Sequence, residues 1–185
     1  LNSGIARVVK DWGDKPMPFY PAIKQLTLDL AADSFIGISW GPEADRINQA
    51  FVDMVQASVA PIRRPLPFTQ MRRGVKGRAF LVDYFTRETH RRRAEGGGQD
   101  MFSQFATATR EDGSLLPVDE VVDHMNFLMM AAHDTITSSA TSLVWLLAKH
   151  SEWQDKLRAE IVAATGGAYD IGYDDLGKLE LTEMA

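Results

Sequence analysis

The stretch AAHDTIT, Ala131 to Thr137, places a carboxylic acid directly before a β-branched alcohol, Asp134 then Thr135. It lies inside FLMMAAHDTITSSATSLVWLL, which is otherwise apolar or weakly polar. An acid next to a hydroxyl in a water-poor site can relay protons to a bound ligand, which is general acid chemistry. Thr135 stands four residues after Ala131, so in a helix its hydroxyl can bond the Ala131 carbonyl and compete with the backbone ladder. Such competition can widen or bend a helix, and helix irregularities occur often at functional sites. Ala131 and Ala132 are small enough for a flat or bulky group to approach the backbone. The same residues also fit a structural role, with Asp134 and His133 paired to other helices and the hydroxyls bonded to their own helix. His124 and His133 lack the i, i+4 spacing of a helical zinc site, and no metal-ligand set is read here.

The element that holds these residues is expected to be long. Helical spacing from about Val118 to Lys149 would span about 48 Å at 1.5 Å per residue. Pro117 precedes it, and Asp119 and Glu120 complement its N-terminal dipole. The segments Phe127 to Ala132 and Leu143 to Ala148 are apolar nearly all round, as in a helix running through the middle of a domain. Its uninterrupted apolar run Phe127 to Ala132 is far short of the roughly 20 residues of a membrane span.

Around it the periodicity is helical and strand signals are poor. A helix tail ends at Gly13. A second helix closes near Gly37, with Ile23, Leu26, Leu30, Ala31, Ser34 and Phe35 at apolar spacing. A third carries Ile47, Phe51, Met54 and Val55 on one face, before Pro61, Pro65 and Pro67 break the pattern. A long basic helix ends at the glycines after HRRRAE, and a short helix is followed by an Asp-Gly turn. Ser151 and Gln154 read as a capping box opening a helix that ends at Gly166. The basic HRRR reads as a solvated helix end. The fold class is therefore all-α.

The chain has 185 residues, 45% hydrophobic and 24% charged, a globular composition. Its net charge of −5 argues against nucleic acid as a partner. It has no cysteine, so it forms no disulfide and offers no thiolate. No signal-peptide pattern follows Leu1.

FLMMAAHDTITSSATSLVWLLAKHSEWQDKLRAEI resembles the long central helix, and the helix after it, of a cytochrome P450. The family pattern there is Ala/Gly-Gly-x-Asp/Glu-Thr-Thr/Ser. Ala131 stands at its first place, Ala132 at the glycine, and Asp134 and Thr135 at the acid and the threonine. Ile136 stands where Thr or Ser is usual. KHSEWQDKLRAEI is similar to the family's next helix, LTLDLAADSFIGI to an earlier one, and YDDLGKLELTEMA to the lead-in of the Glu-x-x-Arg helix. Glu43-x-x-Arg46 and Glu88-x-x-Arg91 match that last motif by letters only, and are read as surface pairs.

The resemblance implies an all-α, partial P450 fold built around the long helix. It implies an incomplete single domain over 1–185, lacking the N-terminal part and the C-terminal haem-thiolate part. It also implies haem b and dioxygen as cofactor and cosubstrate, with the axial cysteine outside this chain. Asp134 and Thr135 would be catalytic, Ala131, Ala132 and Thr135 would lie against the cofactor, and Phe51, Phe127 and Met130 would contact a small apolar substrate. For each of these three, plain core packing is the alternative. A ferredoxin or a flavoprotein reductase would supply electrons, and the expected location is cytoplasmic. A non-enzymatic all-α ligand-binding or regulatory domain is the rival reading.

Overall fold

Two glycines decide how the first half of the chain packs. Helices α3 (Pro42–Ser58) and α4 (Gln70–Glu95) form a hairpin joined by residues 59–69. Gly74 and Gly77 of α4 lie against the backbone of α3. A Cβ on Gly77 would sit 2.5 Å from the Ala50 carbonyl oxygen, and one on Gly74 would sit 2.1 Å from the Ala57 Cβ. Only hydrogen fits at either place, so the glycines, poor helix formers as they are, set the closeness of the pair.

The structure, a computed structural model, describes residues 1–13, 15–168 and 170–185, except for the side chains of Ala132 and His133. It divides into two units, Lys24–Thr135 and Leu1–Ile23 with Ile136–Ala185. Among the described residues it is helical, with one isolated antiparallel bridge between Thr109 and Leu115 around the Asp112-Gly113 turn. No helix among them is long and apolar enough to cross a membrane.

The larger unit holds the core. Ile36, Ile47, Phe51, Leu81, Phe85, Phe102, Met125 and Met129 are buried in one cluster. Phe85 and Phe102 meet edge to face at 5.4 Å between centroids, the geometry that ring quadrupoles favour. Helix α2 (Phe19–Ala31) continues into a π-helical turn, Ala32–Ile36, closed by Gly37 in the left-handed region at φ 71°. The wider turn shifts the buried face by a residue. Ile36 is therefore inside and Phe35 only half-buried, where simple helical spacing placed Phe35 inward. Ile47 and Phe51 pack inward from α3 as their spacing predicts, while Met54 and Val55 are half-buried.

The basic end of α4 differs from the expected solvated helix end. Arg91 is exposed and pairs with Glu88 and Glu95. Arg92 is buried: its guanidinium donates to Asp100, to Ser103 Oγ at 2.6 Å and to the Ile36 carbonyl, and it stacks 4.3 Å over the Phe102 ring. Arg93 Nε donates to the Ala106 carbonyl at 2.7 Å, and another of its nitrogens donates to the Leu116 carbonyl. These two arginines tie α4 to the π turn, to α5 (Met101–Thr107) and to the residues leading into the long helix. The chain leaves α4 through Gly96, in the left-handed region at φ 86°.

Helix α6 runs unbroken from Val118 to Lys149. Helix α7 (Ser151–Thr165) ends at Gly166 as expected, again in the left-handed region. Its start corrects the expected capping box: the N-cap is His150 with no side-chain cap bond, and Gln154 Nε2 donates instead to the Leu147 carbonyl at 2.7 Å. The last turn of α6 leaves carbonyls without helical partners, and Gln154 satisfies one of them. Glu160 of α7 accepts from the backbone N–H groups of Leu181 and Thr182 at 2.6 and 2.9 Å, and from the Thr182 hydroxyl at 2.7 Å. It thereby caps α9 (Glu180–Met184), which follows α8 (Tyr173–Leu176).

Candidate functional site

The two faces of α6 within the larger unit do different work. Val121, Val122, Met125 and Met129 are buried and pack on the core. At about 100° per residue, Phe127, Met130, Ala131 and Asp134 gather on the opposite side, and Thr135 lies at its flank. All five are exposed, Phe127 by 64%. Phe127, Met130, Ala131 and Asp134 therefore share one open face, with Thr135 exposed at its edge.

Thr135 Oγ1 lies 2.6 Å from the Ala131 carbonyl oxygen, to which it donates. This is the back-bond that the i, i+4 spacing predicts. The expected widening or bending does not accompany it: the helix stays α-helical through 131–135. Back-bonds from threonine are compatible with a regular helix, and the same bond recurs from Thr89 to Phe85 at 2.6 Å and from Thr141 to Thr137 at 2.7 Å. The hydroxyl clustering of this segment is thus partly self-satisfied. The irregular turn of the chain falls elsewhere, at Ala32–Ile36.

Asp134 is exposed and adjoins Thr135 in sequence. The side chains of Ala132, placed against a cofactor by its motif position, and of His133 lie outside what the structure describes. Phe51 does not join the open face. It is 2% exposed, within the core of the larger unit, so packing accounts for it. Its place beside Ile47 at helical spacing was the signal for that role. Glu88 and Arg91 form the surface pair expected of them, with Arg91 Nε 3.1 Å from both Glu88 oxygens. Arg46 stacks 4.4 Å over the Phe80 ring. No cluster of three or more His, Asp or Glu able to hold a metal occurs among the described residues.

Relationships to known proteins match this helix and its surroundings. The cytochrome P450 family model covers residues 40–185. Cytochrome P450 136 of Mycobacterium tuberculosis is 38% identical over 190 residues, which take in 100% of this chain and 38% of that protein. Taxane 13-alpha-hydroxylase of Taxus cuspidata is 26% identical over 97% of this chain and 39% of its own length. Among solved structures, a cyanobacterial CYP120A1 with retinoic acid bound superposes with a TM-score of 0.84 at 21% identity, over 98% of this chain and 42% of that one. The chain spans about two fifths of the length of these relatives. With the matched region running from the start of α3 through the long helix and its acid–threonine pair, the chain belongs to the cytochrome P450 family.

Proposed function

We propose that this chain forms the oxygen-facing part of a haem-thiolate monooxygenase acting on a small apolar molecule, and that Asp134 and Thr135 handle its protons. One observation carries the reading: Asp134 shares an open face of α6 with Phe127, Met130 and Ala131, opposite the face that packs on the core, and Thr135 is exposed at the edge of that face. A non-enzymatic binding domain is not favoured, because family membership supplies a reason for the acid–threonine pair.

The residues fit one side of a haem site. Ala131 offers only a methyl on the open face, so the edge of a flat macrocycle can reach the backbone between Phe127 and Thr135. The axial thiolate is a different matter, since the 185 residues contain no cysteine; on this reading the ligand and the rest of the domain lie outside them. When bound, haem would supply the reduction of dioxygen and the hydroxylation chemistry, a division of labour usual for cofactor enzymes.

Thr135 has one hydroxyl hydrogen and two lone pairs. With the hydrogen on the Ala131 carbonyl, the oxygen is free to accept but not to donate. Donation to a ligand requires the O–H to rotate away from Ala131, giving up a bond whose net worth is about 1 kcal/mol. The site therefore has two hydroxyl orientations close in energy, one storing the proton on the helix and one presenting it. Asp134, exposed beside it on α6, would restore the proton that Thr135 passes on. Phe127 and Met130 supply apolar surface for substrate and limit water beside the pair. A ferredoxin or flavoprotein reductase would deliver electrons. The taxane hydroxylase and the retinoic acid complex among the relatives agree with an apolar substrate.

The test is the carbon monoxide difference spectrum of the reduced full-length protein. A thiolate-type band is expected, and a haem-loaded protein lacking that band would contradict the reading.

A further inference from the structure

A polar cavity of about 490 Å³ lies within the larger unit, with no residue of α6 in its wall. It opens where the chain leaves the π turn, at Ser39, and is walled by Glu43 of α3 and by Tyr84, Glu88, Arg91 and Arg92 of α4. Ser39 and Glu43 are exposed, so solutes can reach it. Tyr84 is 6% exposed. Its ring belongs to the apolar core and meets Phe80 and Phe85 at 6.2 and 5.5 Å between centroids. The hydroxyl is the part left to the cavity, and it has no hydrogen-bond partner among the described residues. A buried tyrosine hydroxyl ordinarily has one.

The charges around the cavity do not balance. Arg91 is engaged by Glu88 and Glu95, and Arg92 by Asp100. Glu43 has no salt bridge among the described residues, and Arg46, three residues on, lies over the Phe80 ring instead. Four carboxylates, Glu43, Glu88, Glu95 and Asp100, therefore stand against two guanidiniums, an excess of two negative charges. Burial, followed by the charges of Glu88 and Glu43, pushes the Tyr84 phenol up. It stays protonated, and its oxygen can accept a hydrogen bond as well as donate one.

An anion would be repelled by Glu43 and Glu88. A bare cation would leave most of the volume unused, since one water occupies roughly 30 Å³ of liquid. A primary ammonium has three donors and no acceptor. The cavity offers three matching acceptors, the two carboxylates and the Tyr84 oxygen. We propose that it binds a small organic molecule through a primary ammonium, held between Glu43 and Glu88 with Tyr84 accepting the third hydrogen. The rest of the molecule is short and polar, to suit a wall whose other side chains include Ser39, Arg91 and Arg92. The bound amine ties the chain after the π turn to the start of α3 and the second half of α4.

The experiment uses the full-length protein and ethanolamine, with potassium chloride and tetramethylammonium chloride at equal ionic strength as controls. Ethanolamine should raise Tm progressively with its concentration, and neither control should. Fluorotyrosine placed at position 84 supplies a local readout: its fluorine resonance should shift saturably with ethanolamine alone. Glu43→Gln should weaken binding by about tenfold or more, and Tyr84→Phe, which keeps the ring, by about tenfold. Glu43 is exposed, so Glu43→Gln tests the site even where Tyr84→Phe disturbs the core. Absence of a saturable shift would overturn the proposal. So would equal shifts with either control salt, which would mark an adventitious ion only, and so would undiminished affinity in Glu43→Gln, which would place the amine elsewhere.

Discussion

Arg92 and Asp100 form a salt bridge that closes the glycine loop between α4 and α5, with both side chains largely shielded from solvent. Asp100 also accepts from the backbone N–H of Ser103 at 2.9 Å, as the N-cap of α5. Partial burial pushes its carboxyl up, but the Ser103 hydrogen bonds and the Arg92 charge outweigh this and hold it below the usual carboxylate range. Because the folded value is depressed, the stabilisation is present above the unfolded pKa of about 3.9 and is lost as pH falls through the folded value. Arg92→Leu strands Asp100 and should cost about 3–5 kcal/mol. It should also flatten the acid limb of the stability–pH curve. Urea unfolding at neutral pH and below pH 4 measures both effects; a variant with unchanged stability at neutral pH would contradict the internal role of Arg92.

Gly77 tests the α3–α4 contact. Gly77→Ala raises intrinsic helix propensity by about 1 kcal/mol, yet it places a methyl 2.5 Å from the Ala50 carbonyl. Overpacking of that kind costs about 1–3 kcal/mol or more, so the substitution should destabilise. Thermal unfolding gives the sign directly, and a stabilised Gly77→Ala protein would show that the helices are not this close.

Much of this was legible beforehand. The bounds of α6 follow from sustained apolar spacing between Pro117 and the next helix start, and the Thr135–Ala131 bond follows from i, i+4 spacing alone. Other features depend on partners distant in sequence. Nothing in HRRR distinguishes Arg91, which meets water, from Arg92, which reaches Ile36 fifty-six residues away. Ser151 and Gln154 have the spacing of a capping box, but a carbonyl at the end of α6 is the better acceptor for Gln154. The π turn at Ala32–Ile36 has no local signature in ADSFI. The glycines at 74 and 77 read as weak points of a helix until the facing backbone of α3 is seen. The open face of α6 was foreseeable as a set of residue types; that it lies opposite the core required the buried positions of Met125 and Met129.

Asp134 is predicted to act as a proton donor from the open face of α6. In the full-length protein, Asp134→Asn should slow turnover and raise its solvent isotope effect, while substrate binding changes little. Because Asp134 is exposed, stability should change by less than about 0.5 kcal/mol. Normal turnover together with a destabilised fold would instead make Asp134 a structural residue.

The Thr135 hydroxyl is predicted to alternate between the Ala131 carbonyl and a ligand beside the open face of α6. The measurement that addresses it is the amount of product formed per NAD(P)H consumed by the full-length protein, with hydrogen peroxide assayed alongside. Thr135→Ala keeps the helix and removes the hydroxyl, so haem content should be unchanged while product per NAD(P)H falls and peroxide rises. Thr135→Ser keeps the hydroxyl and should retain most of the coupling. Unchanged coupling in Thr135→Ala, with haem bound, would contradict the account.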